Sequence, residues 1–293
     1  MINFCSHFDS KYLDRALALY YSMQRHVKDF RWFVLALDDE IKIDMEKFVG
    51  KELIIARLRD LLNSGDERTE RLKQIRNERT WQEFIWTLTP FLPSLFVMRY
   101  GLSEMIYLDA DSYFFSDPKP VLDEMRNADI AIVPHRFPPH RDKSQNGVYN
   151  VNWVYFKNTL NAMKCLDEWQ TQCLAWCYAR SEDGKYADQK YLDAWVEKYQ
   201  ARVVKNVGLN LAPWNQEQYH YAHDQGKLWV IESGHSDLSL GQVKRIDATI
   251  LYHFHDFDVE HFSRYPLHEM VKQYVYQPYA RELAEIRSEL DKP

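Results

Sequence analysis

The sequence predicts one α/β domain, a mixed and mainly parallel central sheet flanked by helices and closed by a helical tail. Three observations carry this expectation. The chain opens on a strand–helix–strand unit, which implies a parallel sheet with helices packed on it. Short buried apolar runs then alternate with amphipathic stretches. Finally, 293 residues with 46% hydrophobic and 27% charged composition can bury a sizeable core without disulfides or a structural metal.

Residues 2–5 read as a strand that runs into the polar turn Ser6-His7-Phe8-Asp9-Ser10. A helix follows over 12–26, because Leu13, Ala16, Leu17, Tyr20 and Met23 recur on one face. Residues 31–37 form a buried strand stopped by Asp38-Asp39. The stretch 57–79 mixes both charge signs densely and reads as a solvated helix with i,i+4 pairs. An apolar helix spans 80–90 and a second reaches residue 100. Residues 105–108 are a short strand, followed by strands at 130–134 and 151–156. A long helix covers 159–179 and a shorter one follows Ala187. Residues 203–204, 228–231 and 250–254 are further strands, and an amphipathic helix begins near Pro278. No repeat or low-complexity linker divides the chain, so the expected domain is 1–265 with a helical extension at 266–293.

Composition removes several function classes. A formal charge of -6 supplies no broad basic footprint, so no nucleic-acid partner is expected. With only 9 glycines the chain carries no GxGxxG, GxxxxGK[ST] or GxSxG, which argues against a dinucleotide site, a P-loop and an α/β-hydrolase. HExxH and paired CxxC are also lacking. Cys5, Cys165, Cys173 and Cys177 read as small buried residues of a reducing compartment. The N-terminus lacks the basic start and apolar run of a signal peptide. The most apolar window, 84–98, is broken by Pro90 and Pro93 and is too short to span a bilayer. The cytoplasm is the expected location, with peripheral contact at the inner face of the membrane. Aromatic residues make up 15% of the chain, a content that serves stacking on sugars or bases as well as cores.

Four segments could carry chemistry. The strand at 105–108 leads directly into Asp109-Ala110-Asp111. Ligands collect at the carboxyl ends of strands in open α/β sheets, and two carboxylates there could share one hard divalent cation. In Leu251-Tyr252-His253-Phe254-His255 the two imidazoles lie two residues apart, on one face of a strand. Imidazole beside carboxylate suits Mn²⁺ better than Ca²⁺. Asp188, in Lys185-Tyr186-Ala187-Asp188-Gln189, stands where a helix N-cap would. The segment from Asn206 to Asn215 combines amides with Trp214, as either a sugar-holding loop or an ordered turn.

The order of these features resembles nucleotide-sugar glycosyltransferases of the Rossmann-like GT-A fold, specifically glycosyltransferase family 8 (the glycogenin and bacterial lipopolysaccharide galactosyltransferase group), over residues 2–256. The resemblance implies a nucleotide-diphosphate sugar donor, UDP-linked, and a saccharide or glycolipid acceptor. It places Asp109, Asp111 and His253 on Mn²⁺ or Mg²⁺, with His255 a further candidate ligand. Ser6, Asp9, Tyr12, Arg79, Trp86, Asp109, Ala110, Asn150 and Asn152 fall to the nucleotide and donor sugar. Asp188 and Gln189 match an Asp-Gln pair near the reacting carbon, with retention of configuration. His135, Trp214 and Asn215 are the acceptor candidates.

Three departures from the family pattern stand out. Asn152 replaces a usual Gly, Asp256 replaces another, and a downstream Lys-Pro-Trp is missing. Arg79 is the expected substitute for that lysine on the diphosphate. The pattern from Arg79 to Pro90, with the Ala-Pro-Trp-Asn segment at 212–215, is similar to a bacterial surface-polysaccharide subgroup. Two alternatives stand beside this reading. A haloacid-dehalogenase-like phosphohydrolase also uses D-x-D after an apolar strand, but on its first strand, with Thr or Val two positions after the second Asp, where this chain has Tyr113. A nucleotide-sugar- or carbohydrate-binding protein without turnover is compatible with Asn152 and Asp256.

Overall fold

A computed structural model describes residues 1–234 and 242–292. Strand β1 (Ile2–Phe8) leads into α1 (Leu13–His26), and β2 (Phe30–Ala36) returns parallel to β1. Helix α2 (Glu40–Phe48) and β3 (Leu53–Arg57) repeat the step. Helices α3 (Leu58–Leu62), α4 (Glu67–Glu78), α5 (Trp81–Leu88) and α6 (Phe91–Tyr100) precede β4 (Glu104–Tyr107), which pairs parallel with the other side of β1. Next come β5 (Ser112–Phe114), α7 (Lys119–Met125), β6 (Ile130–Pro134), β7 (Tyr149–Lys157), α8 (Leu160–Ala175), α9 (Trp195–Tyr199) and β8 (Arg202–Val203). The remainder holds β9 (Leu209–Leu211), β10 (His220–Asp224), β11 (Lys227–Ser233), β12 (Val243–Ala248) and β13 (Leu251–His253). It ends in α10 (Glu269–Val271), a π-helical turn and α11 (Gln277–Leu290).

The main sheet runs β3-β2-β1-β4-β7-β6-β8, and only β7 is antiparallel to its neighbours. This is the mixed, mainly parallel sheet the sequence predicts. Period-two alternation feeds a core on each face. Phe4, Trp32, Val34, Ile106 and Ala131 enter the core beneath α1, whereas Cys5, Phe33, Leu35, Met105 and Ile132 enter the one beneath α4, α5, α6 and α8. Each fully buried side chain of this size contributes about 1.5–3 kcal/mol. All four cysteines are free and buried. Tyr279, Leu283 and Ile286 of α11 join the α1 core, so the helical extension shares its packing with the sheet.

The structure departs from expectation where local signals were short. The charged stretch 57–79 is two helices, because Gly65 takes φ +82° and Asp66 caps α4 by accepting from the Thr69 amide. The three-residue strands β5 and β9 have no alternation long enough to read. At Gly208 a Cβ would lie 1.8 Å from the Ala248 carbonyl oxygen, so only glycine lets β9 run so close to the chain entering β13. The β10–β11–β12 meander was legible only in its middle strand.

Candidate active site

The turn after β4 carries Asp109, Ala110 and Asp111 at the carboxyl end of the sheet. Strand β13 pairs antiparallel with β5 in a register that sets His253 opposite Ser112, and the Phe254 amide donates to the Asp111 carbonyl at 2.9 Å. His253 Nε2 therefore stands 3.2 Å from Asp111 Oδ1 and 3.6 Å from Asp109 Oδ2. Ligand atoms of Asp111, His253 and His255 all lie within 4.8 Å of one another. His255 sits just past the strand, its Nε2 3.2 Å from Asp256 Oδ2, and Arg264 pairs with the same carboxylate. Asp256 takes φ +54°, a left-handed conformation that glycine adopts freely and Asp tolerates, so the departure from the resembling pattern keeps the turn.

Charge binds this cluster. Burial works against the charged form of both His253 and Asp111. The attraction between them outweighs it, raising the imidazole and lowering the carboxyl. Burial raises Asp109, despite His253, and Asp111 adds to the rise. Burial and then the neighbouring His253 push His255 down to about 4.

Asp188 occupies the N-cap position of the 3-10 turn Gln189–Ala194 but makes no side-chain cap bond there. It is buried, bonds Thr89, and is pushed up to about 7, first by burial and then by the charge of Asp109. Gln189 Nε2 donates to the Asn146 carbonyl at 2.8 Å. Asp9 accepts from Trp81 Nε1 at 2.9 Å through Oδ2, while its Oδ1 is buried without a partner. Tyr12 is 45% exposed, and its hydroxyl is raised by partial burial and by Asp111, Asp9 and Asp109. Asn150 bonds His135 Nε2 at 3.1 Å and keeps a buried Oδ1 without a partner. Ala110 is buried within the turn. Trp86 is half-buried against the helical core.

Six of the expected site residues direct their polar atoms to the protein itself. Ser6 is fully buried and accepts from Trp32 Nε1 at 3.0 Å. Arg79 is buried and donates to Thr87 Oγ1 and to the carbonyls of Cys173 and Leu174, closing the end of α8. Asn152 is fully buried: its Oδ1 accepts from the Asp109 amide at 3.1 Å and from Ser112 Oγ at 2.8 Å, and Nδ2 donates to Asn210 Oδ1. It clamps the Asp109–Ser112 turn to β9. A break in pairing aims it there, since Ile132 pairs with Val154 while Val133 pairs with Asn150, and Trp153 takes φ +81°.

The three acceptor candidates likewise bond to the protein. Asn215 is fully buried, donating to the His135 and Asn210 carbonyls and accepting from the Ala212 amide. Trp214 is 7% exposed, donates to the His135 carbonyl, and meets His253 and His255 edge-on, so it walls the cluster and offers no open stacking face. His135 is buried and stacked on Phe137, and burial pushes it down to about 3. The segment 206–215 contains β9 and is braced by Arg136 donating to the carbonyls of Val204, Asn206 and Leu209.

Sequence reasoning missed His7, Thr89 and Tyr107. Tyr107 lies two residues before Asp109, and the polar His7 at the end of a buried strand was the available signal.

The chain matches the nucleotide-diphospho-sugar transferase family over residues 28–210, more than half its length. It is 26% identical over 249 residues to the uncharacterized protein YfnD of Bacillus subtilis (strain 168), covering 83% of this chain and 74% of that protein. Among solved structures it is similar to the galactosyltransferase LgtC in complex with donor and acceptor sugar analogs, with TM-score 0.59, 11% identity, and 97% and 96% of the two chains covered. It is also similar to mouse xyloside xylosyltransferase 1, with TM-score 0.53, 14% identity, and 87% and 98% covered. At those identities the likeness is one of fold, and the fold is GT-A. By sequence and architecture together, this chain belongs to the nucleotide-diphospho-sugar transferase family and is a glycosyltransferase.

Proposed function

We propose that this glycosyltransferase moves a hexose from a UDP-sugar to a saccharide or glycolipid acceptor in surface-glycan assembly, with retention and with a divalent cation. One observation carries the reading: Asp109, Asp111, His253 and His255 converge at the carboxyl end of β4. Carboxylate oxygens beside imidazole nitrogens fit Mn²⁺, and Mg²⁺ less closely. Bound there, the ion supplies Lewis-acid neutralisation of the leaving diphosphate.

The chain's own groups do the rest. The unpartnered Oδ1 of Asp9 accepts from a nucleoside hydroxyl or N–H, and the exposed ring of Tyr12 packs against the base. The unpartnered Oδ1 of Asn150 accepts from a donor-sugar hydroxyl. Gln189 keeps its carbonyl oxygen while its amide is held by Asn146, so that oxygen serves the positive charge developing on the sugar. Asp188 supports that charge from a site where it titrates near neutrality. The catalytic unit is 1–265, braced by the extension 266–293. Among the described residues no helix is long and apolar enough to cross a membrane. Action in the cytoplasm, peripheral to the inner face of the membrane, completes the reading.

The test is a panel of nucleotide sugars screened for Mn²⁺-dependent transfer or hydrolysis and for protection against thermal unfolding. Binding to the native state alone raises the midpoint by mass action. A UDP-sugar should stabilise the protein and turn over only without EDTA. Full turnover in chelator rejects the metal reading, and a panel without any responding nucleotide sugar rejects the donor.

A further inference from the structure

Asp109 is held at its side chain as well as at its backbone. Tyr107, buried on the last position of β4, donates its hydroxyl to Asp109 Oδ1 at 2.9 Å, while Asp109 Oδ2 lies toward His253. The same hydroxyl oxygen lies 3.2 Å from Nδ1 of His7 on the neighbouring strand β1. His7 is buried in turn, and its Nε2 reaches the Ile85 carbonyl of α5 at 2.9 Å. A carbonyl only accepts, so Nε2 carries the proton, and in a neutral imidazole Nδ1 is then an acceptor. Burial keeps His7 neutral, its pKa lowered to about 4. The phenol thus has one proton and two acceptors, Asp109 Oδ1 and His7 Nδ1. The carboxylate is the charged and the nearer of the two, so the proton goes to Asp109 Oδ1.

We propose that Tyr107 is a positioning residue that fixes the rotamer of Asp109 and thereby sets the affinity of the cluster for its divalent cation. The proposal rests on the metal reading given above. Loss of a hydrogen bond that orients a metal ligand typically weakens metal binding by about 10–100-fold. Nothing else about the ring needs to change: Tyr107→Phe keeps its volume and its packing in the core beneath α5 and α6.

The experiment is calorimetric titration of Mn²⁺ alone into nucleotide-free protein, for wild type, Tyr107→Phe, Asp109→Asn and the double variant. Tyr107→Phe should weaken Mn²⁺ about tenfold. In the Asp109→Asn background the same change should have no further effect, because Tyr107 acts through that carboxylate. Wild-type affinity in Tyr107→Phe overturns the proposal, and so does an equal loss in both backgrounds, which would mark a merely structural residue. Should Tyr107→Phe fail to fold, Tyr107→Met removes the same hydroxyl and keeps an apolar side chain in the core. It should weaken Mn²⁺ in the same direction, and unchanged affinity there sinks the idea. A wild type that binds no Mn²⁺ overturns the metal reading itself, a result distinct from wild-type binding that is indifferent to Tyr107.

Discussion

His253 Nε2 stands 3.2 Å from Asp111 Oδ1 because β13 and β5 pair in the one register that sets His253 opposite Ser112. A slip of one residue would turn the imidazole to the other face of that small sheet. The contact is therefore a product of strand pairing. Removing its charge tests the site directly. Asp111→Asn should lower Mn²⁺-dependent transfer on the order of 100-fold while the protein stays folded. Steady-state rates against Mn²⁺ concentration measure this, and wild-type kinetics in the variant reject the assignment.

His255 brings a second nitrogen to the cluster. Nitrogen donors favour Mn²⁺ over Mg²⁺, so His255→Ala should lower the Mn²⁺/Mg²⁺ activation ratio. His253→Ala should abolish activation by both ions. Metal titrations of the two variants decide it, and an unmoved ratio in His255→Ala removes that residue from the ligand set.

Asp188 gives a pH signature. Its folded pKa, about 7, lies above the ordinary 3.8, so the unfolded chain releases the proton first as pH rises. The resulting cost to stability builds up from about pH 4 to 7, is complete above 7, and is relieved on acidification. Asp188→Asn should therefore raise the thermal midpoint in EDTA at pH 8, with the gain shrinking toward pH 4. A gain independent of pH would contradict the buried-carboxylate account.

Asn152 spans three partners on two segments. Asn152→Ala strands the Asp109 amide and Asn210, and should cost about 2–4 kcal/mol in urea unfolding. Asn152→Gly, the residue of the resembling family, should cost a similar amount because it strands the same groups. A loss within experimental error in both would show that the clamp is dispensable.

Arg79 distinguishes structure from ligand binding. Arg79→Gln leaves the Cys173 and Leu174 carbonyls short of donors and should cost about 2–3 kcal/mol, without raising donor KM. A selective rise in KM at unchanged stability would return this residue to the diphosphate.

Much of the fold, and the two segments that meet at the Asp109–Asp111–His253 cluster, are legible in residue order. The short buried apolar runs of β2, β4 and β6, and the one-faced apolar repeat of α1, are local patterns, and the sheet and its helices follow from them. The D-x-D turn was legible because a buried strand points straight into it. Strands β5 and β9 were not, since three residues carry too little periodicity to tell a strand from a loop. The Asp188 signal was ambiguous because an N-cap and a buried site carboxylate look alike in one dimension.

Residue order by itself determined the alternating sheet, the helix faces, the absence of a nucleotide-binding glycine loop, and the presence of Asp109, Asp111 and His253. Only tertiary structure decided which polar side chains are spent on the protein and which remain for a ligand. Asn152, Asn215 and Arg79 carry the chemistry of binding residues, yet buried carbonyls and amides from distant segments consume it. A sequence records how many hydrogen bonds a side chain can make. Packing decides with whom, because each buried polar group left unpaired costs about 1–3 kcal/mol.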